Sequence, residues 1–378
     1  MSSGYRPVLR LPGAAAFFCT AAAGRVGIAM TGLGLVWLVH ARTGSYGTAG
    51  LATAAFALAE AVTGPQLARL ADRFGQARVL PFSVAAHGIA IAGVLTTPPT
   101  AAIAFAAGAG AAVPQLGALS AARWAHLLRS RPADLPTAFA LESLANAGAF
   151  LLGPALVTAL GAAGCAPLAS ALAAALIVGG GAALAAQRRT APPPARPGSL
   201  RPRFMRITLL NLAVGLYFGT MGVSVSAFAT EYGVPGAATP IVAAGSVAGL
   251  VSGWLYGLRR HRAPARVQLV VAAAYLTATA LLLPLARSAL WLGAAVVVTE
   301  AAIPPTLVLL NVLTERAVAP AVRTRAFTWN NSTSAAGSAL AAFLAGHTAD
   351  ALGASAAFAL APAAALALLA LTATLPSG

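Results

Sequence analysis

The sequence predicts an all-α membrane protein: twelve transmembrane helices in two pseudo-symmetric six-helix bundles, with both termini cytoplasmic. Three observations predict it. Twelve apolar stretches fill the chain, its basic residues fall in alternate gaps between them, and short sequence matches recur at an offset of 188 residues.

Apolar residues make up 59% of the 378, charged residues only 8%, and the mean hydropathy is +0.81. A water-soluble domain with this composition would present a continuous aggregation patch. A bilayer supplies the apolar solvent instead, and each crossing takes about 20 apolar residues. Each crossing is helical, because a helix satisfies its own backbone in lipid.

The spans fall at 13–40, 47–68, 79–97, 100–123, 137–160, 164–186, 205–230, 238–258, 267–286, 289–312, 326–347 and 353–375. Alanine is abundant in all of them, and small residues let helices approach closely. The first apolar run is too long for a signal peptide and has no cleavage pattern.

Orientation follows from the arginines, since the chain has no lysine. Twenty-one of the 24 lie at the N-terminus or in even-numbered gaps, and the odd-numbered gaps hold only Arg42 and Arg287. The remaining one, Arg25, is inside the first span. The positive-inside rule then puts both termini in the cytoplasm and the protein in the inner membrane.

Residues 188–204 are rich in proline and arginine and read as an extended cytoplasmic linker. They separate an N-terminal bundle, 12–187, from a C-terminal bundle, 205–376. Ala138-Phe139-Ala140-Leu141-Glu142-Ser143 opens span 5. Ala326-Phe327-Thr328-Trp329-Asn330-Asn331 opens span 11, 188 residues later, and Pro132 and Pro320 keep that offset. Parallel six-span repeats with a site between them are a transporter plan.

The formal charge of +16 does not indicate nucleic acid, because the arginines occupy short loops rather than a solvated face with stacking aromatics. Cys19 and Cys165 read as buried free thiols and build no disulfide framework. The five histidines are scattered near span ends or loops without metal-ligand spacing. No phosphate-cradling loop is present. The expectation is a protein that is no enzyme, with no cofactor and no metal, acting as a monomer on a small molecule and on protons.

The loop after span 2 reads Leu67-Ala68-Arg69-Leu70-Ala71-Asp72-Arg73-Phe74-Gly75-Gln76-Ala77-Arg78. Asp72, Arg73, Gly75 and Arg78 resemble the signature loop of the major facilitator superfamily, with Ala68 and Gln76 departing from its pattern. The resemblance implies a breakable latch that joins the two halves on the cytoplasmic side. Gly75 suits a tight turn, and Asp72 suits a helix N-terminus or an arginine partner. The copy after span 8 keeps Gly257 and Arg262, but His261 stands where Asp72 stands, so only the first latch has a carboxylate.

Gly153-Pro154 in span 5 resembles the glycine-proline motif of proton-coupled drug exporters in that superfamily. A kink in a packed helix explains it equally well. Gly245, Gly249, Gly253 and Gly257 recur every fourth residue in span 8 and make a smooth seam for a neighbouring helix.

Ionisable residues inside spans are costly and face a partner or a cavity. They are Arg25, Glu60, Glu142 and Glu300. An Arg25–Glu142 pairing follows from the placement of spans 1 and 5 in the family, and Asn146 lies one turn from Glu142. Pro304-Pro305 should break span 10 just after Glu300. Each carboxylate reads either as a group that binds and releases protons or as half of a fixed ion pair. Gln115, Asn211, Tyr217, Trp329, Asn330 and Asn331 are candidates to line a cavity; interhelical hydrogen bonding is their alternative role.

The chain is similar to bacterial drug and metabolite exporters of the superfamily. That resemblance implies proton-coupled export of a small amphipathic compound by alternating access. Two alternatives stay open: an importer or facilitator of a polar solute such as a sugar or organic acid, and a non-transporting membrane scaffold or sensor.

Overall fold

The computed structural model describes residues 4–195, 198–200, 202–259 and 261–375. Arg196, Arg201 and Arg260, counted in the charge pattern, and residue 376 lie outside them. Among the described residues there are sixteen α-helices and no strand. The first half holds α1 (Tyr5–Leu9), α2 (Ala14–Thr43), α3 (Tyr46–Phe74), α4 (Gln76–Thr96), α5 (Pro99–Ala111), α6 (Leu116–Leu127), α7 (Leu135–Ala162) and α8 (Ala166–Ala186). The second holds α9 (Pro202–Glu231), α10 (Ala238–Leu258), α11 (Ala265–Ala280), α12 (Ala289–Glu300), α13 (Ile303–Ala317), α14 (Arg323–Leu352), α15 (Ala354–Phe358) and α16 (Leu360–Ala373).

The 188-residue offset recurs in the helix bounds. Ala14–Thr43 maps onto Pro202–Glu231 at both ends, Leu135 onto Arg323, Ala166 onto Ala354, and the 3-10 turn Pro132–Asp134 onto Pro320–Val322. Among the described residues, nine segments are long and apolar enough to cross a membrane; α5–α6, α12–α13 and α15–α16 each count as one. Outside that set fall α11, only 16 residues long, α3, which carries Glu60 and the Asp72-Arg73 pair, and α14, which carries the Asn330–Ser334 polar run.

Alanine and glycine set the spacing within each half. A Cβ on Gly180 of α8 would lie 2.6 Å from the Thr20 carbonyl oxygen of α2, and one on Gly153 of α7 would lie 2.9 Å from Ala29. Neither helix could sit so close with larger side chains. Pro154 does not interrupt α7, which runs unbroken from Leu135 to Ala162. The large aromatic core side chains Phe17, Trp124, Phe139, Tyr217, Phe228 and Phe358 are fully buried.

Expected span 4 is not one helix. It breaks at residues 112–115, around Pro114, and span 10 breaks at 301–302, ahead of Pro304 and Pro305. Proline has no N–H to give to the carbonyl four residues back. Freed carbonyls in an apolar interior need donors, and side chains supply them. Thr63 Oγ1 donates to Ala111 O (2.9 Å), Ser83 Oγ to Ala112 O (2.7 Å), and His87 Nδ1 lies 2.9 Å from Ala109 O. In the second half Ser252 Oγ donates to Ala301 O (2.5 Å) and Tyr275 OH to Val298 O (3.0 Å). His87 is thus a mid-helix group, not one near a loop.

Three other expectations are corrected. Cys19 and Cys165 are free but exposed: Cys19 on the surface of α2, Cys165 in the turn that leads into α8. The linker is not simply extended: it begins with a 3-10 turn, Arg188–Thr190, and Ala195 N then donates to Asp72 O at 3.0 Å. Arg123, counted as a loop arginine, is 0% exposed. It donates to Gln76 Oε1, Gln187 O, Thr190 Oγ1 and Leu184 O at 2.8–2.9 Å. The last carbonyls of α8 offer it the negative end of a helix dipole.

Candidate functional site

Arg25 of α2 and Glu142 of α7 form a buried ion pair, 6% and 5% exposed. Arg25 Nη1 also donates to the Glu142 carbonyl at 3.2 Å. The other carboxylate oxygen accepts from Ser120 Oγ (2.5 Å) and Trp124 Nε1 (2.8 Å), both on α6. Gly117 of α6 packs beside the guanidinium, where a Cβ would stand in ordinary contact, 3.5 Å from Arg25 Nε. Both oxygens are therefore occupied. Asn146, one turn along, is exposed.

Glu300 ends α12 at the break in span 10 and accepts from Tyr217 OH of α9 at 3.0 Å. The glycine stripe of α10 forms the opposite wall. A Cβ on Gly245 would meet Glu300 Cγ at 3.1 Å, and one on Gly249 would meet Pro304 at 3.6 Å. Farther along, Gly253 faces Pro304 and Leu144 of α7, and Gly257 faces Tyr5 and Ala140. The stripe is a seam within the molecule, shared by the broken helix and the other half.

Glu60 lies half-buried on α3, with the Gln115 side chain beside it. Gln115 also packs against Gly64, 3.1 Å from where a Cβ would stand. Of the other polar candidates, Asn211 is buried and donates to Ile207 O on its own helix at 2.9 Å. Asn330 is buried and donates to Thr314 Oγ1 at 2.7 Å, joining α14 to α13. Trp329 and Asn331 are exposed.

The two halves are bound at the arginine-rich end. Asp72, four residues past the expected end of its span, accepts from the backbone N–H groups of Thr324 (3.3 Å) and Arg325 (3.0 Å). It thereby caps α14 of the other half at the positive end of its dipole. Burial pushes the Asp72 carboxyl up to about 6, against the opposing pull of the Thr324 and Arg325 donors. Gly75 makes the turn between α3 and α4 with φ of +91°, a conformation disfavoured by any side chain. The Arg73 guanidinium lies 4.9 Å from the Phe74 ring centre, and Arg78 is exposed.

At the second copy His261 stacks on Tyr256 and turns back to the Tyr256 carbonyl at 3.0 Å. Other residues join α10 to the first half. Thr137 Oγ1 donates to Gly257 O (2.9 Å), and Tyr5 OH of α1 donates to Trp254 O (2.8 Å). Every hydrogen bond between the halves, among the described residues, is at this end.

Sequence reasoning missed four residues: Ser120 and Trp124, which hold Glu142; Tyr5, which pins α10; and Arg123. Trp124 and Arg123 did carry a signal, for they follow Ser120 at helical spacing on α6.

No curated protein sequence matches the chain. Among solved structures it is similar to the human organic anion transporter MFSD10 (TETRAN), at 17% identity and a TM-score of 0.76, covering 97% of this chain and 99% of that one. It is also similar to a bacterial homologue of the iron transporter ferroportin in an outward-facing state, at 13% identity and a TM-score of 0.78, covering 97% and 99%. A third is the E. coli fucose:proton symporter FucP, at 11% identity and a TM-score of 0.72, covering 98% and 100%. At these identities the likeness is one of fold. The family model described as Major Facilitator Superfamily matches residues 16–342, most of the chain. This chain therefore belongs to the Major Facilitator Superfamily and is a multi-pass membrane transporter, not an enzyme.

Proposed function

We propose that the protein is a twelve-span, monomeric, proton-coupled exporter of a small amphipathic compound in the inner membrane. Bundles 12–187 and 205–376 rock about a central site, with the linker 188–204 and both termini on the cytoplasmic side. In this reading the structure is an outward-facing state, and the Asp72 cap on α14 is the cytoplasmic latch.

The observation that carries the coupling is the Tyr217–Glu300 hydrogen bond at the break between α12 and α13. A carboxylate held by a neutral donor can take a proton and lose its charge without stranding a cation. Glu142 cannot, because protonating it leaves Arg25 buried and uncompensated. Glu300 is therefore the coupling group, and the Arg25–Glu142 pair fixes α2 to α7. Similar structures of proton symporters for fucose and xylose support proton coupling as a property this fold carries.

The test is a thermal-stability screen of the purified protein at about pH 5.5 and about pH 7.5, because a ligand that binds the folded state stabilises it. Lipophilic cations, antibiotics, sugars and organic acids are screened. An amphipathic hit whose shift depends on pH, and loses that dependence in Glu300→Gln, supports the reading. A pH-independent sugar or acid hit contradicts it and favours a facilitator. Silence across the whole library favours a scaffold.

A further inference from the structure

The chain has eight acidic residues, and six have evident places. Glu142 pairs with Arg25, Glu315 with Arg323 and Asp134 with Arg131. Asp72 caps α14, Glu231 accepts from the Ala354 N–H at 2.6 Å, and Asp350 is exposed near the end of α14. Glu60 and Glu300 remain. Both are half-buried within the bundle, and each has a neutral amide or hydroxyl beside it instead of a cation.

Their positions are related. A shift of 189 residues carries Asp72 to His261, Ala68 to Gly257 and Thr63 to Ser252. Thr63 and Ser252 do the same work, each donating to a carbonyl freed by the break in its half. The same shift carries Glu60 to Gly249, which faces the Glu300 backbone oxygen and Pro304. In the first half the unbroken helix carries the carboxylate, and the break opposite it is Ala111-Ala112. In the second half the break carries the carboxylate, and the unbroken helix is glycine. Each seam has one side chain of glutamate size, and in the second half Gly245 and Gly249 leave room for it.

We infer that Glu60 and Glu300 are a matched pair of proton-binding sites, one per half, in the seam between α3 and α5–α6 and the seam between α10 and α12–α13. The inference rests on the proton-coupled reading and extends it from one carboxylate to two. Tyr217 is the titratable group that faces Glu300 from α9. The α10 wall contributes glycines, and Tyr275 of α11 is engaged with Val298 O. Gln115 faces Glu60 and does not titrate. His87 of α4 reaches the same break, at Ala109 O.

The experiment is infrared difference spectroscopy of the full chain in lipid nanodiscs across about pH 5 to 9, the range in which buried carboxyls titrate. Protons alone are the probe, so no transported solute is needed. Beside the band of Asp72, whose carboxyl burial raises to about 6, the wild type should show two further carboxyl protonation bands. Glu60→Gln should remove one, Glu300→Gln the other, and the double variant both. Gln115→Ala and Tyr217→Phe retain both carboxyls, so they keep the test available should a glutamine variant fold poorly; each should move the midpoint of its own band and leave the other in place. A spectrum unchanged by Glu60→Gln and by Gln115→Ala overturns the pairing while leaving Glu300 as the coupling group. A spectrum unchanged by all four single substitutions overturns both claims.

Discussion

Arg25 and Glu142 sit 117 residues apart in sequence and meet in a buried ion pair, with Ser120 and Trp124 on the second carboxylate oxygen. Removing one partner of such a pair strands the other. Glu142→Gln and Arg25→Met should each cost about 3–5 kcal/mol of stability, and the double variant Arg25→Met/Glu142→Leu should recover much of that loss. Chemical or thermal unfolding in detergent measures it. Equal loss in single and double variants would show that the pair does not act as a unit.

The Asp72 cap on α14 should hold the arginine-rich end closed. Losing an N-cap costs about 0.5–2 kcal/mol, so Asp72→Ala should lower the closed-to-open ratio roughly two- to thirty-fold. Spin-label distances between α3 and α14 report that ratio.

The same group gives a pH dependence. In the closed state burial raises the Asp72 carboxyl to about 6; once the latch opens and water reaches it, the ordinary value near 4 applies. The closed state then holds the proton more tightly. Acidification from about pH 7 to about pH 4 should therefore favour closure, and raising the pH through about 6 should remove that gain. Asp72→Asn should abolish the effect on the same spin-label distances.

Tyr5 replaces part of the missing second latch. Tyr5→Phe removes its bond to Trp254 O and should cost about 0.5–1.5 kcal/mol. Its effect on closure should add to that of Asp72→Ala, because the two residues share no partner. Cysteine accessibility at the arginine-rich end reads both.

Two glycines of α9 should behave differently. A Cβ on Gly219 would run into the Ser338 backbone of α14, whereas Gly222 has nothing within 4 Å. Gly219→Ala should destabilise by about 1–3 kcal/mol, and Gly222→Ala should be neutral or slightly stabilising. Parallel melts of the two variants check this.

Helix placement was legible because apolar length and arginine position are local signals. The duplication was legible too, from matches as short as Ala138–Ser143 against Ala326–Asn331. Pro304-Pro305 announced the break in span 10. The break at Pro114 in span 4 was not read from the sequence, since a single proline is compatible with a kink. What sequence could not show was direction around each helix axis. Asn146 and Glu142 lie one turn apart, yet one is exposed and the other buried, held by Ser120 and Trp124 of α6. Arg123 has the composition of a loop arginine, and its burial depends on α4 and α8 converging there. Tyr5 gave no signal at all, since its partner is a backbone carbonyl 249 residues away.

The most direct test of the central claim compares exchange with accumulation in proteoliposomes, using tetraphenylphosphonium as the probe cation. Under an imposed pH gradient the wild type should accumulate the probe, and it should also exchange labelled for unlabelled probe without a gradient. Glu300→Gln should keep the exchange and lose the accumulation, because the bundle still rocks but no longer carries a proton. Accumulation undiminished in Glu300→Gln would contradict coupling at this residue.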